Sequence, residues 1–214
     1  MAKRDATTRP TPSTGRPAAP KKASASPLAK KKSAARTTAT RAAPETVAPT
    51  LAQRLVPPRS DPKAPRYWLM KSEPDVYSID DLARDGSTAW EGVRNYTARN
   101  FMRDEMALGD RILFYHSNAE PPGIAGLAEV VGLAEADATQ FDPKSEYFDA
   151  AATRDAPRWL AVRVGFVSKL PRLVPLDVLK ADRSLDGMLV VAKGQRLSVQ
   201  PVLEAHYRRV LALV

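Results

Sequence analysis

Residues 110–131 read DRILFYHSNAEPPGIAGLAEVV, and this stretch decides the fold. Residues 110–116 are rich in aliphatic and aromatic side chains and form a strand. Asn118 to Gly123, NAEPPG, is turn chemistry. Residues 124–131 return as a second strand, interrupted by Gly126, so the pair is a long hairpin. Upstream, residues 66–71 (RYWLMK) follow a proline cluster and give a first strand. Ser78-x-x-Asp81 opens a short helix that Gly86 closes. Residues 90–95 are a loop or short strand. Residues 97–108 fit a helix with Ala98, Phe101, Met102 and Met106 facing inward and Gly109 as its stop.

Downstream of the hairpin, residues 134–157 form an acidic irregular loop carrying Phe141, Tyr147 and Phe148. A loop of that length in a compact domain is usually functional or disordered, and its aromatics favour function. Residues 159–167 alternate, with Leu160, Val162, Val164 and Phe166 on one face. Two short helices are expected at 176–182 and 184–188, then a short strand at 196–200. Pro201 fits the first turn of a C-terminal helix striped by Leu203, Tyr207, Val210, Leu211 and Val214. Strands and short helices mix, with hairpin-length links and no βαβ period. The fold class is therefore α+β, with a mostly antiparallel sheet curled into a β-barrel and short flanking helices.

The charge is uneven. Residues 1–66 hold 15 Lys/Arg against 3 Asp/Glu, a net of +12, while residues 67–214 hold 18 against 21, a net of −3. All 14 aromatics lie from Tyr67 onward, and 11 of the 19 prolines lie before it. A segment so poor in apolar side chains cannot offset its ordering entropy. Residues 1–65 are therefore expected to be a disordered Ala/Pro/Lys-rich basic tail, with 57–66 (PPRSDPKAPR) as its linker. Residues 66–214 are long enough for one domain with a core. The tail attracts phosphate without reading sequence. Its alternatives are a solubilising segment or a transit peptide, the latter weakened by the lack of an amphipathic face.

No cysteine and only two histidines, His116 and His206, leave no basis for disulfides, thiol nucleophiles or a metal site, and no cofactor is expected. No run reaches the length of a membrane span, and no apolar stretch suggests a secretory signal. No oligomer is specified by the pattern.

Four segments are polar or aromatic where a plain scaffold would not need them: 71–74 (KSEP), 90–95 (WEGVRN), 115–118 (YHSN) and 196–201 (RLSVQP). Strand ends and adjoining loops are where a barrel places ligand groups. At this point the chain resembles the EVE-domain family, of the thymocyte-nuclear-protein-like group. That family has a PUA-like barrel and is related to the YTH readers of methylated adenine. The blocks carrying the resemblance are YWLMKSEP at 67–74, WEGVRNYTARN at 90–100, GDRILFYHS at 109–117, PGIAG at 122–126 and RLSVQPV at 196–202. They run in the family's order and span 67–202.

The resemblance implies a non-enzymatic reader of nucleic acid, DNA or RNA, that holds a flipped modified base. The base would be a methylated or oxidised pyrimidine, or N6-methyladenine. The chemistry agrees: Trp90 supplies a flat face, and Ser72, Asn95 and Ser117 supply short polar groups for a base edge. Lys71 and Glu73 carry charge at the mouth. Tyr115 and His116 end the central strand, Tyr147 and Phe148 close the cage, and Ser198 and Gln200 line the same cleft. Arg94, Arg99, Arg103 and Arg196 are the candidates for phosphate, with Arg99 and Arg103 at i, i+4 on one helix face.

Each residue also has a plain reading. Trp68 and Trp159 suit the core, and Trp90 suits a core plug. Lys71 and Glu73 suit a surface ion pair, and Arg99 and Arg103 a solvated helix face. His206 suits a surface or interface position. His116 and Ser117, adjacent on a strand, point to opposite faces and make no dyad. Two other functions compete. One is an enzyme acting on modified nucleotides with Glu73 or Glu91 as acid/base. The other is a protein-interaction adaptor docking through 134–157. The compartment follows the host: cytoplasmic and nucleoid-associated in a bacterium, nuclear in a eukaryote.

Overall fold

The structure is a computed structural model that describes Val56, Asp61 and residues 63–214. The tail expected at 1–65 therefore lies largely outside the described residues. The main elements begin with strand β1 (Tyr67–Ser72), helix α1 (Ile79–Asp85) and strand β2 (Ser87–Ala89). Helix α2 (Tyr96–Asn100) runs on into a π-helical turn (Phe101–Glu105). Strands β3 (Arg111–His116), β4 (Gly123–Ala136) and β5 (Leu160–Pro175) follow, then helix α3 (Leu176–Ala181), strand β6 (Val199–Val202) and helix α4 (Glu204–Leu211).

The six strands form one sheet in the order β2-β5-β4-β3-β1-β6. Every neighbouring pair is antiparallel except β1–β3, which is parallel. The central hairpin is the β3–β4 pair, with the register shifting between Phe114 and Tyr115. Strand alternation sorts the side chains. Trp68, Met70, Ile112, Phe114 and Val199 enter one buried cluster, and Leu69, Leu113, Tyr115 and Val202 enter the other. Val199 from edge strand β6 and Trp90, one residue past edge strand β2, share the first cluster, so the sheet curls around it. The helices α3 and α4 cover the second: Leu179, Tyr207 and Val210 lie within it.

Several elements differ from the sequence expectation, each for a physical reason. Helix α1 is as expected: Ser78 and Asp81 form the reciprocal capping box, and Gly86 stands at φ 73° past its end. The helix expected over 97–108 stops earlier, because its second turn widens into the π turn and Met106 is already extended. Ala98, Phe101, Met102 and Met106 are buried all the same. Strands β4 and β5 are far longer than expected and absorb the start of the 134–157 loop; register shifts let so long a pair bend. The last strand begins at Val199, so Pro201 pairs with Trp68 inside it rather than starting a helix. An edge strand tolerates a residue without an N–H. Leu203 is consequently exposed, and His206 is buried rather than on the surface.

Asp110 is fully buried beneath β1. Its carboxylate accepts from Trp68 Nε1 at 3.0 Å, Arg66 N at 2.9 Å and Ala107 N at 3.0 Å. These bonds fix the entry into β1 to the turn before β3. Replacing Asp110 by Ala strands buried donors, and should cost about 3 kcal/mol in urea unfolding. A cost under 1 kcal/mol would show that the network contributes little.

Candidate nucleic-acid interface

Because β1 and β3 run parallel, both leave the sheet at the same end, along one rim of strand ends. Their register pairs Lys71 with Tyr115 and Ser72 with His116. The ladder continues one step as Ser117 N donates to Ser72 O at 2.8 Å. On the other side of β1, Lys71 N donates to Ser198 O at 2.9 Å, and Lys71 Nζ donates to Gln195 O at 3.1 Å. Three of the four singled-out segments thus converge at this rim. Glu73, just past β1, accepts from Asn118 Nδ2 at 3.2 Å. The fourth segment, 90–95, meets β3 through Trp90, whose ring lies edge-on to Phe114 at 5.5 Å, and carries Tyr147 on its other residues. A Cβ at Gly92 would lie 2.9–3.2 Å from three carbons of the Tyr147 ring, so that ring rests on the Gly92 backbone. Burial, then the neighbouring Glu146, pushes the Tyr147 hydroxyl above its usual value. Glu73 adds to the rise and Arg94 opposes it.

The pleat divides these residues between two faces. Ser72 and His116 lie on the Phe114 side, Lys71 and Tyr115 on the other. Tyr115 is 3% exposed within the second core cluster, so it supports Lys71 from below and does not line an open pocket. Burial lowers the Lys71 pKa. Ser72 Oγ donates to Tyr77 O at 2.7 Å, and His116 Nε2 accepts from Ile79 N at 3.1 Å. Both hold the 73–78 loop from beneath. Since His116 Nε2 is an acceptor, its ring is neutral with the proton assigned to Nδ1.

Other expected site residues have internal duties. Trp90 is 7% exposed in the first core cluster, edge-on to Phe114 at 5.5 Å, so the open face expected of it is covered. Asn95 Oδ1 caps α2 through Ala98 N at 3.1 Å. Gln200 is buried and donates to Leu197 O at 2.8 Å. Phe148 is exposed, and Ser117 and Ser198 are half-buried.

The arginines divide sharply. Arg94 turns inward to the 137–147 loop. Arg99 donates to Arg158 O and Asn100 Oδ1 and packs 4.8 Å from the Tyr96 ring centre. Arg103 pairs with Asp104 at 2.6 Å; it sits in the π turn, whose wider pitch undoes the expected i, i+4 alignment with Arg99. Arg196 is exposed, and no partner is described for it. The same holds for Lys193, which the sequence pattern did not single out; it lies three residues earlier in the same connection to β6. Glu91 lines a separate cleft of about 220 Å³ between β2, β4 and β5, with Glu135 and Arg163. Among the described residues no cluster of three or more His, Cys, Asp or Glu could hold a metal, and no helix is long and apolar enough to cross a membrane.

The EVE domain family matches residues 66–213, which is most of the chain. The chain belongs to the EVE-domain family. Human thymocyte nuclear protein 1 is 42% identical over 165 residues, covering 69% of this chain and 73% of that protein. Among solved structures, a Pseudomonas syringae protein is 49% identical with a TM-score of 0.67, covering 69% of this chain and 98% of the other. Human THYN1 in complex with 5-methylcytosine-containing DNA is 41% identical with a TM-score of 0.65, covering 69% of this chain and 96% of that one. An EVE domain's PUA-like sheet therefore underlies the site, with β1, β3 and the 195–198 segment presenting its rim.

Two measurements check this geometry. Gly92 at φ 77° with Tyr147 on its backbone leaves no room for a side chain. Gly92→Ala should cost about 1–2 kcal/mol from the backbone alone, and an unchanged Tm would contradict the packing. Burial holds His116 below its ordinary 6.5, with Asp80 opposing and Lys169 adding. Its folded pKa being depressed, the neutral ring contributes fully above pH 6.5. That contribution is lost as pH falls from 6.5 towards the folded value, because the unfolded chain takes up the proton first. An NMR titration of His116 should give a midpoint below 6.5, and a midpoint above it would contradict the Ile79 bond.

Proposed function

We propose that this protein is a non-enzymatic reader of DNA that takes a flipped modified base, a modified cytosine first among candidates, at the rim formed by β1, β3 and residues 195–198. The observation that carries the reading is that a relative 41% identical over this same domain is found in complex with 5-methylcytosine-containing DNA. The local chemistry supports it. Carboxylates accept from the N4 amino group of cytosine, and Glu73 offers one beside the Asn118 amide. With Trp90 covered, Tyr147 is the aromatic that can meet a base face; such stacking is worth about 1–3 kcal/mol per base. Ser117 and Ser198 add short polar groups at the same rim.

Phosphate contacts fall to Arg196 and Lys193, cations without a partner among the described residues, and to the basic residues 1–65 for sequence-independent affinity. Selectivity and bulk attraction then have different sources. Relatives in vertebrates are named nuclear proteins. The working compartment of this chain is that of its DNA, the nucleus of a eukaryote or the nucleoid of a bacterium.

Fluorescence anisotropy with matched duplexes tests this. The full chain should bind a duplex with one 5-methylcytosine more tightly than its unmodified twin, and Glu73→Gln should weaken binding to both, because cytosine and 5-methylcytosine carry the same N4 amino group. Replacing Arg196 and Lys193 by Ala should flatten log K against log salt by up to about 0.9 per lost contact, with the ratio between duplexes kept. Deleting residues 1–60 should weaken binding to both duplexes alike and flatten the slope further. Equal affinity for the two duplexes and for a panel of other modified bases would contradict the reader. DNA recovered after long incubation should be unchanged by mass spectrometry; a converted base would favour an enzyme.

A further inference from the structure

Arg94 has a geometry that a phosphate ligand would not need. Its side chain is 22% exposed and pairs at 2.7 Å with Asp137, whose side chain is fully buried. Its Nη2 donates to Thr139 Oγ1 at 2.8 Å. Its Nε donates to the Tyr147 carbonyl at 2.9 Å, and Nη2 reaches the same oxygen. The whole fork is spent inside the protein. Asp137 is saturated in turn, because its Oδ2 also accepts from Gly92 N at 3.0 Å and its Oδ1 accepts from Thr139 N at 2.8 Å. Burial alone would raise the Asp137 carboxyl; Arg94, Thr139 and the Gly92 N–H outweigh it and hold it below the usual range.

The guanidinium also fixes rings. Its carbon lies 5.4 Å from the centres of both the Tyr147 and Trp159 rings. Trp159 stacks on Tyr96 at 4.8 Å, and Arg99 packs against Tyr96 in its turn. With Trp159 and Arg99 both against Tyr96, this row is a strut rather than a stacking platform for bases. The rest of the loop has its own anchors: Asp149 accepts from Trp159 Nε1 at 2.8 Å, and Asp149 N donates to Gln140 O at 3.0 Å. Losing the Arg94 fork would therefore release Tyr147 locally rather than the whole loop.

We infer that Arg94 is a positioning residue: through its fork on Asp137, Thr139 and the Tyr147 carbonyl it sets Tyr147 against Gly92 at the base site, and so governs discrimination between modified and unmodified bases without touching phosphate. This rests on the reader function proposed above.

The test is equilibrium binding of the full chain to methylated and unmodified duplexes across a salt series. Arg94→Lys keeps the charge, but an ammonium cannot span the three acceptors. The ratio between duplexes should fall by about tenfold in Arg94→Lys, with the salt slope unchanged. Tyr147→Ala should lower the ratio similarly, and the double variant should lose no more than either alone, since both act through one ring. Hydrogen exchange at residues 142–148 should quicken in Arg94→Lys. A retained ratio in Arg94→Lys, a slope lowered by about 0.9 as for one lost phosphate contact, or additive losses in the double variant would overturn the inference. Should Arg94→Lys not fold, Thr139→Val takes one acceptor from the fork and leaves the ion pair. The variant also removes the Thr139 Oγ1 bond to Asp137 Oδ1, so it loosens both sides of the ion pair; it should lower the ratio by a smaller factor, and an unchanged ratio there would overturn the inference equally. A wild-type protein that does not discriminate overturns the reader function, and the inference with it. Wild-type discrimination that survives the Arg94 variant overturns the inference alone.

Discussion

Parallel pairing of Tyr67–Ser72 with Arg111–His116 is the constraint on which the site depends. In an otherwise antiparallel sheet it forces two strands to leave at the same end. Strand β6 pairs on the far side of β1, and the 195–198 segment leading into it reaches that end as well. Three stretches of polar residues, remote in sequence, are gathered without any insertion built to hold them. The buried Asp110 carboxylate makes the arrangement rigid at the opposite end, by tying the start of β1 to the turn that opens β3.

What the sequence discloses depends on how far apart the partners are. Ser78 and Asp81 lie within one turn, so the capping box of α1 is readable as a pattern. The hairpin of β3 and β4 is readable because strand, turn and strand are contiguous. The parallel β1–β3 ladder is not, since nothing local distinguishes a parallel from an antiparallel neighbour. Arg94 shows the same limit: its partners lie 43, 45 and 53 residues away. From the sequence alone an Arg between Val93 and Asn95 is an open cation, whereas in the fold it is internal. Asp137 and Gln140, buried polar residues in the acidic loop, carry no local mark of burial either. Trp90 was legible as important and ambiguous as to why; its edge-on contact with Phe114 decides for the core. Pro201 has the chemistry of a helix start and sits in an edge strand, because what tolerates it there is the absence of a neighbour.

The charge pattern acquires a spatial meaning. The domain is net negative over residues 67–214, with 21 acidic against 18 basic side chains, so its net charge gives no bulk attraction to DNA. Most of its arginines near the site are paired internally, and Lys71 is held by Gln195 O, which leaves Lys193 and Arg196 as the local cations without a partner among the described residues. In the proposed reader, Glu73, Asn118 and Tyr147 are assigned the base, with little competition from bulk attraction. That attraction is assigned separately, in the same proposal, to the basic residues 1–65. Division of this kind lets recognition and affinity vary independently.

The most direct measurement is a pair of amide NMR titrations of the protein, one with a duplex carrying a single 5-methylcytosine and one with the same duplex unmodified. The account predicts that the signals differing between the two cluster at residues 71–73, 92–94, 117–118, 147 and 195–198. Differences confined to the Glu91 cleft between β2, β4 and β5, or two identical sets of shifts, would contradict it.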